Sequence, residues 1–120
     1  MKKAEREYID YLRDVQSAIE KAESFVEGME YEVFKSDDKT VFAVLKALEI
    51  VGEASKNIPS RVRQKYSEVP WREMTGMRDK LSHDYLGVDL WRVFSTVKED
   101  LPMLRTFISR ILQDLEEKKS

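Results

Sequence analysis

The chain's single histidine, His83, stands five residues after Arg78 in the octapeptide RDKLSHDY that spans 78–85. An imidazole with a pKa near ~6.5 can take a proton from a ribose 2′-hydroxyl or give one to a leaving 5′-oxygen. A guanidinium can hold two phosphate oxygens while negative charge accumulates. Together they could break a phosphodiester without a metal. Such a pair would cleave RNA and spare DNA, because the nucleophile is the 2′-hydroxyl itself. Asp79 could orient Arg78 or accept a hydrogen bond from the ribose. The competing reading is structural: Arg and His within five residues occur often by chance, and a surface His on a charged helix end with Tyr85 packed in a core uses the same residues. There is no Cys, which excludes disulfides, Cys–zinc sites and thiol chemistry, and one His excludes a His-rich metal site within one chain.

At about 100° per residue, Arg78 and His83 lie roughly 140° apart around a continuous helix. Either the helix ends between them, or two copies related by a two-fold axis place both motifs in one cleft. The dimer is favoured, and it would also account for the apolar residues Trp71, Met74 and Met77 on short segments nearby.

The elements that must position these residues are helical. Tyr8, Leu12, Val15, Ile19, Ala22 and Val26 recur at intervals of three and four, which predicts a helix over 4–28 that stops at Gly28. Ser36, Asp37 and Asp38 offer N-cap oxygens to a second helix over 38–57, with Val41, Leu45, Leu48, Val51 and Ile58 on its stripe and Pro59 beyond its end. Its internal Gly52 fits either a close helix crossing or simple tolerance of glycine. Ser60 is expected to cap a short helix through Tyr66, Pro70 to open a short turn through Trp71 and Met74, and a further helix to start at Gly76. Asp89 should cap the stretch Leu90, Val93, Phe94 and Val97. Pro102 is hostile to a helix interior, so Asp100 is expected to cap a final helix burying Leu104, Phe107, Ile108, Ile111, Leu112 and Leu115. No strand-like alternation, repeat or linker is visible. The expectation is one all-α domain over 1–120, its core about 4–116, built as an up-down bundle of four to five helices with short middle helices.

Composition agrees with that architecture. Of the 120 residues 42% are hydrophobic and 37% charged, with few Gly (4) and Pro (3). No run approaches the ~20 apolar residues of a membrane span and the start is charged throughout, so a cytoplasmic protein is expected. The net charge of −2 is unevenly spread. Residues 1–40 carry 7 basic and 11 acidic side chains, whereas 56–80 carry 7 basic against 3 acidic. Within that basic segment Arg61, Arg63, Lys65 and Lys80 are candidate RNA phosphate contacts, although such a cluster is more often a solvated surface. Asn and Gln number only 4 while Glu, Lys and Arg abound, a bias of thermophile proteins that long solvated helices also produce.

The Arg-x4-His-x-Tyr segment is preceded by IVGEASKNIP (50–59) and VPWREMTGMRDKL (69–81) and followed by VDLWRVFSTVKEDLP (88–102). In this succession the chain resembles the HEPN superfamily, and within it the HepT-like toxins of prokaryotic toxin–antitoxin pairs, over residues 8 to 116. The resemblance implies a homodimeric helical bundle that acts as a metal-independent endoribonuclease without a cofactor, with Arg78 and His83 as the catalytic pair. It also implies a minimal nucleotidyltransferase antitoxin that transfers AMP onto the motif tyrosine, which is Tyr85 here. Added adenylate would place negative charge and bulk beside the cleft. One departure is Asp79, where the family often has Asn. Glu53, a charge within the apolar second helix, could pair with Arg72 or Arg78 or face solvent. The alternative to an enzyme is a non-catalytic helical partner that serves as the binding subunit of the nucleotidyltransferase.

Overall fold

An apolar stripe at three- and four-residue spacing makes α1 (Lys2–Phe25), which buries Tyr8, Leu12, Val15, Ile19 and Ala22. The computed structural model describes residues 2–83 and 89–119, with side chains described for 8–77 and 89–117. After α1 the chain turns at Gly28, whose φ of +75° is a conformation that residues with a Cβ seldom adopt. A short helix the sequence did not announce follows, α2 (Tyr31–Ser36), which buries Phe34.

Asp37 opens α3 (Asp38–Lys56), its carboxylate accepting the Thr40 amide at 3.1 Å. Of the three candidate caps it is the one in register. The apolar face of α3 buries Val41, Val44, Leu48 and Val51, and Gly52 is buried beside them. Next comes α4 (Ser60–Lys65), where Pro59 occupies the N-cap position without a side-chain bond. Ser60 is thus the first helical residue rather than the cap. The rigid proline already sets the entry of the chain.

A single helix, α5 (Trp71–His83), replaces the expected turn and separate helix from Gly76. Gly76 lies in its interior with open space around the position of a Cβ. The roughly 1 kcal/mol that a mid-helix Gly costs is outweighed by the burial of Trp71 and Met74 one turn earlier.

Asp89 caps α6 (Leu90–Ser95) by accepting the Arg92 amide at 3.2 Å, as the sequence indicates. Asp100 is not a cap. A π turn (Thr96–Asp100) carries the helix directly into α7 (Leu101–Lys119), with Pro102 in its first turn. The Leu101 amide reaches Thr96 O, five residues back, and this wider register absorbs the amide that Pro102 lacks. Along α7, Leu104, Ile108, Ile111 and Leu112 are buried, and Phe107 and Leu115 are partly so.

Among the described residues every element is helical, and one contiguous cluster of buried side chains links α1 to α7. The long helices α1, α3, α5 and α7 carry that core. Side-chain bonds fix α1 antiparallel to α7: Arg13 meets Glu116 at 3.7 Å, Gln16 donates to Ser109 at 2.9 Å, and Glu23 meets Arg105 at 3.5 Å. The bundle therefore has two distinct ends. At one, the Arg61 guanidinium lies 5.4 Å from the Tyr8 ring, the Tyr66 hydroxyl donates to Asp114 at 3.4 Å, and the Trp71 indole N–H donates to Tyr66 O at 3.0 Å. At the other, the Lys98 ammonium donates to Val26 O at 3.1 Å just past the end of α1, beside the rings of Tyr31, Phe34, Trp91 and Phe94. Starting at the first end, α5 packs along α3 towards the second. No helix among the described residues is long and apolar enough to cross a membrane.

Candidate active site

The first half of α5 is anchored and the second half carries the motif. Pro70 O accepts the Met74 amide at 3.1 Å, Trp71 is pinned by its indole bond, and Met74 is fully buried. From there the helix runs unbroken through Arg78, Asp79 and Lys80 to His83. A helix end between Arg78 and His83 is thereby ruled out. The two residues occupy the same half of one helix, separated by a rise of about 7.5 Å and by roughly 140° of rotation. The side chains of Arg78, Asp79, Lys80 and His83, and the whole of Tyr85, lie outside the described residues.

Trp71 and Met74 are buried in the chain's own core and Met77 is half-buried. The expectation that these apolar residues await a partner copy is therefore withdrawn for Trp71 and Met74. Their intervals place them on the face that α5 packs against α3. Glu53 and Arg72 are both exposed.

The basic residues of α4 form a separate constellation. Arg61 is exposed and stacked on Tyr8, and the exposed Lys65 holds its ammonium 5.6 Å from the Tyr66 ring. Arg63 is half-buried, with an Nε that has no hydrogen-bond partner among the described residues. Cation–π contacts of this kind fix a guanidinium or ammonium while leaving its outer side hydrated. These cations belong to the end of the bundle where α5 begins. The rise from Trp71 to His83 is about 18 Å, so α4 adjoins the start of α5 and residue 83 is at its other end.

Two features escaped the sequence reading. Ser55, on the buried face of α3, has a hydroxyl with no hydrogen-bond partner among the described residues. Trp91 stands out on α6 as an exposed indole, which its place beside the apolar residues Leu90, Val93 and Phe94 disguises. At the α3 cap the Thr40 amide, and after it the Thr40 hydroxyl, hold the Asp37 carboxyl below the usual carboxylate range.

Residues 15–111, from the middle of α1 to the middle of α7, match the family model described as ribonuclease HepT-like. The chain belongs to the ribonuclease HepT-like family. A probable ribonuclease HepT from Thermococcus cleftensis is 53% identical over 100 residues, which are 83% of this chain and 91% of that protein. A protein of Methanocaldococcus jannaschii whose name gives it as a candidate RNase is 41% identical over 108 residues, 90% of this chain and 93% of its own length. A further candidate RNase, from Caldanaerobacter subterraneus, is 39% identical over 112 residues, 92% of this chain and 96% of its own. No solved structure matches the chain. The HepT-like match encloses all of α4, α5 and α6, and with them the whole Arg78–Tyr85 segment.

Proposed function

We propose that this HepT-like chain is the toxin of a toxin–antitoxin pair, an endoribonuclease that acts in the cytoplasm as a homodimer and cleaves RNA, with tRNA as a candidate target. The observation that carries the proposal is the unbroken α5, which in a member of a ribonuclease family holds Arg78 and His83 on one rigid element yet on different sides of it. Two copies of α5 across a two-fold axis resolve that divergence, since each could supply what the other turns away. His83 then removes the 2′-hydroxyl proton, the freed oxygen attacks the adjacent phosphorus, and the P–O5′ bond breaks as the imidazolium so formed gives its proton to the leaving 5′-oxygen. Arg78 offsets the charge on the phosphorane oxygens. No metal takes part in these steps. Asp79 supports Arg78, while Lys80 and the α4 residues Arg61, Arg63 and Lys65 hold more distant phosphates of a longer RNA.

Tyr85 is the acceptor of AMP from a cognate minimal nucleotidyltransferase antitoxin. Its phenolate would attack the α-phosphorus of ATP and release pyrophosphate, and the resulting phosphodiester adds negative charge two residues from His83. The test is the chemistry of the cut ends. Products with a 2′,3′-cyclic phosphate and a 5′-hydroxyl, formed by a chain whose intact mass shows Tyr85 unmodified, support the mechanism. Products with 3′-hydroxyl ends, or cleavage that requires magnesium, contradict it. The divergence of Arg78 and His83 within one chain also favours a second reading, a non-catalytic helical subunit that binds the nucleotidyltransferase. Under it the unmodified chain cleaves nothing, and Arg78 and His83 are dispensable while the complex still forms.

A further inference from the structure

Trp91 lies in the first turn of α6 and is 56% exposed. An indole left so open is usually mobile, but this one is braced. Tyr31 meets it edge-on, with ring centroids 5.0 Å apart and planes at 88°, and Phe94 supports it at 6.4 Å. Phe94 in turn packs on the fully buried Phe34 at 5.3 Å, which ties the exposed ring to the core. Two cations belong to the same cluster: the Lys35 ammonium 6.0 Å from the Tyr31 ring and that of Lys98 5.6 Å from Phe94. Beside the indole, Arg92 is exposed, and the Asp89 carboxylate is engaged by the Arg92 amide. Glu27, Glu30, Glu32, Glu99 and Asp100 share this end, so its net charge is negative and the feature that distinguishes it is the open ring rather than a basic surface. The exposed charges that flank Trp91 are unlike the centre of a protein interface, where charged residues are depleted. A braced, solvent-facing indole offers an open π-face on which an unpaired base can stack, and Lys35, Arg92 and Lys98 are the cations near enough to meet the backbone of such a strand.

Its place in the fold supplies the rest. The motif-bearing half of α5 runs towards this end of the bundle, and only five residues separate His83 from Asp89, six Cα-to-Cα steps with a reach of at most ~21 Å. We propose that Trp91, braced by Tyr31, stacks a base of single-stranded RNA a few nucleotides from the bond that is cut. The proposal rests on the ribonuclease reading above. It makes Trp91 a binding residue rather than a catalytic one.

The test uses the full chain carrying His83→Ala and a fluorescently labelled single-stranded RNA dodecamer. Trp91→Ala should weaken binding about 5- to 150-fold, the range that loss of one base–aromatic stack spans, while Trp91→Tyr should retain most of the affinity. With Trp71→Phe added, Trp91 is the only indole and its emission should be quenched by the RNA. If Trp71→Phe does not fold, the affinity comparison decides alone. RNA that binds with equal affinity to the parent and to Trp91→Ala overturns this inference and leaves the ribonuclease reading intact. Failure of every variant to bind RNA overturns both. A Trp91→Ala chain with unchanged RNA affinity but altered sedimentation assigns the indole to a contact between copies, which also overturns the inference.

Discussion

Asp37 binds the Thr40 amide and so closes the first turn of α3, the helix on which both α1 and α5 pack. Because this carboxyl is held below its ordinary range, its contribution to stability is complete above the unfolded pKa and is lost as pH falls through the lowered folded value. Asp37→Ala should therefore lower the melting temperature at neutral pH, Asp37→Asn should lower it less, and the gap between wild type and Asp37→Ala should close in acid. Thermal unfolding followed by circular dichroism across pH checks this. At the same scale, the cap at Asp89 was legible in the sequence because a carboxylate just ahead of an apolar periodic run has one dominant use, whereas Ser36, Asp37 and Asp38 were equal candidates until the structure put Asp37 in register. Ser60 misled for the opposite reason: Pro59, one residue earlier, already fixed the start of α4. Trp91 was illegible, since spacing alone does not separate a braced surface indole from a core one.

Among the elements, α5 shows how burial overrides local signals. Pro70 and Gly76 suggested a short turn followed by a separate helix, yet the helix is continuous because Trp71 and Met74 anchor its first turn against α3. Met74→Ala should cost about 2–5 kcal/mol of stability, as expected for a fully buried side chain that leaves a cavity. Met77→Ala should cost less, because Met77 is only half-buried. Chemical denaturation of both variants measures the difference, and equal losses would contradict the assigned face. The join between α6 and α7 carries the converse lesson. A proline predicted a break, and one extra residue in a π turn removed the need for it. The long stripes of α1, α3 and α7 were readable because their period is sustained over many turns. The six-residue α2 was not, because it is too short to show one.

For the whole molecule, the decisive relation is between the two ends of the bundle. Arg61 and Lys65 belong to the end where α5 begins, and the half of α5 that carries Arg78 and His83 heads for the other. The sequence revealed both groups but not their separation, which depends on α5 running back along α3. Their separation predicts that Arg61→Ala and Lys65→Ala weaken cleavage of a long RNA more than that of a short one, measurable as a difference in KM. The proposed two-fold arrangement predicts complementation: Arg78→Ala and His83→Ala chains, each inactive alone, should regain cleavage when mixed and allowed to exchange. Failure to recover would reject a site shared between copies. The most direct test of the account is cleavage of single-stranded RNA by the purified chain in EDTA, comparing wild type with Arg78→Ala and His83→Ala. The account predicts cleavage by wild type that survives chelation and falls by about 100-fold or more in each variant. Undiminished cleavage by either variant, or none by an unmodified wild-type chain, would contradict it.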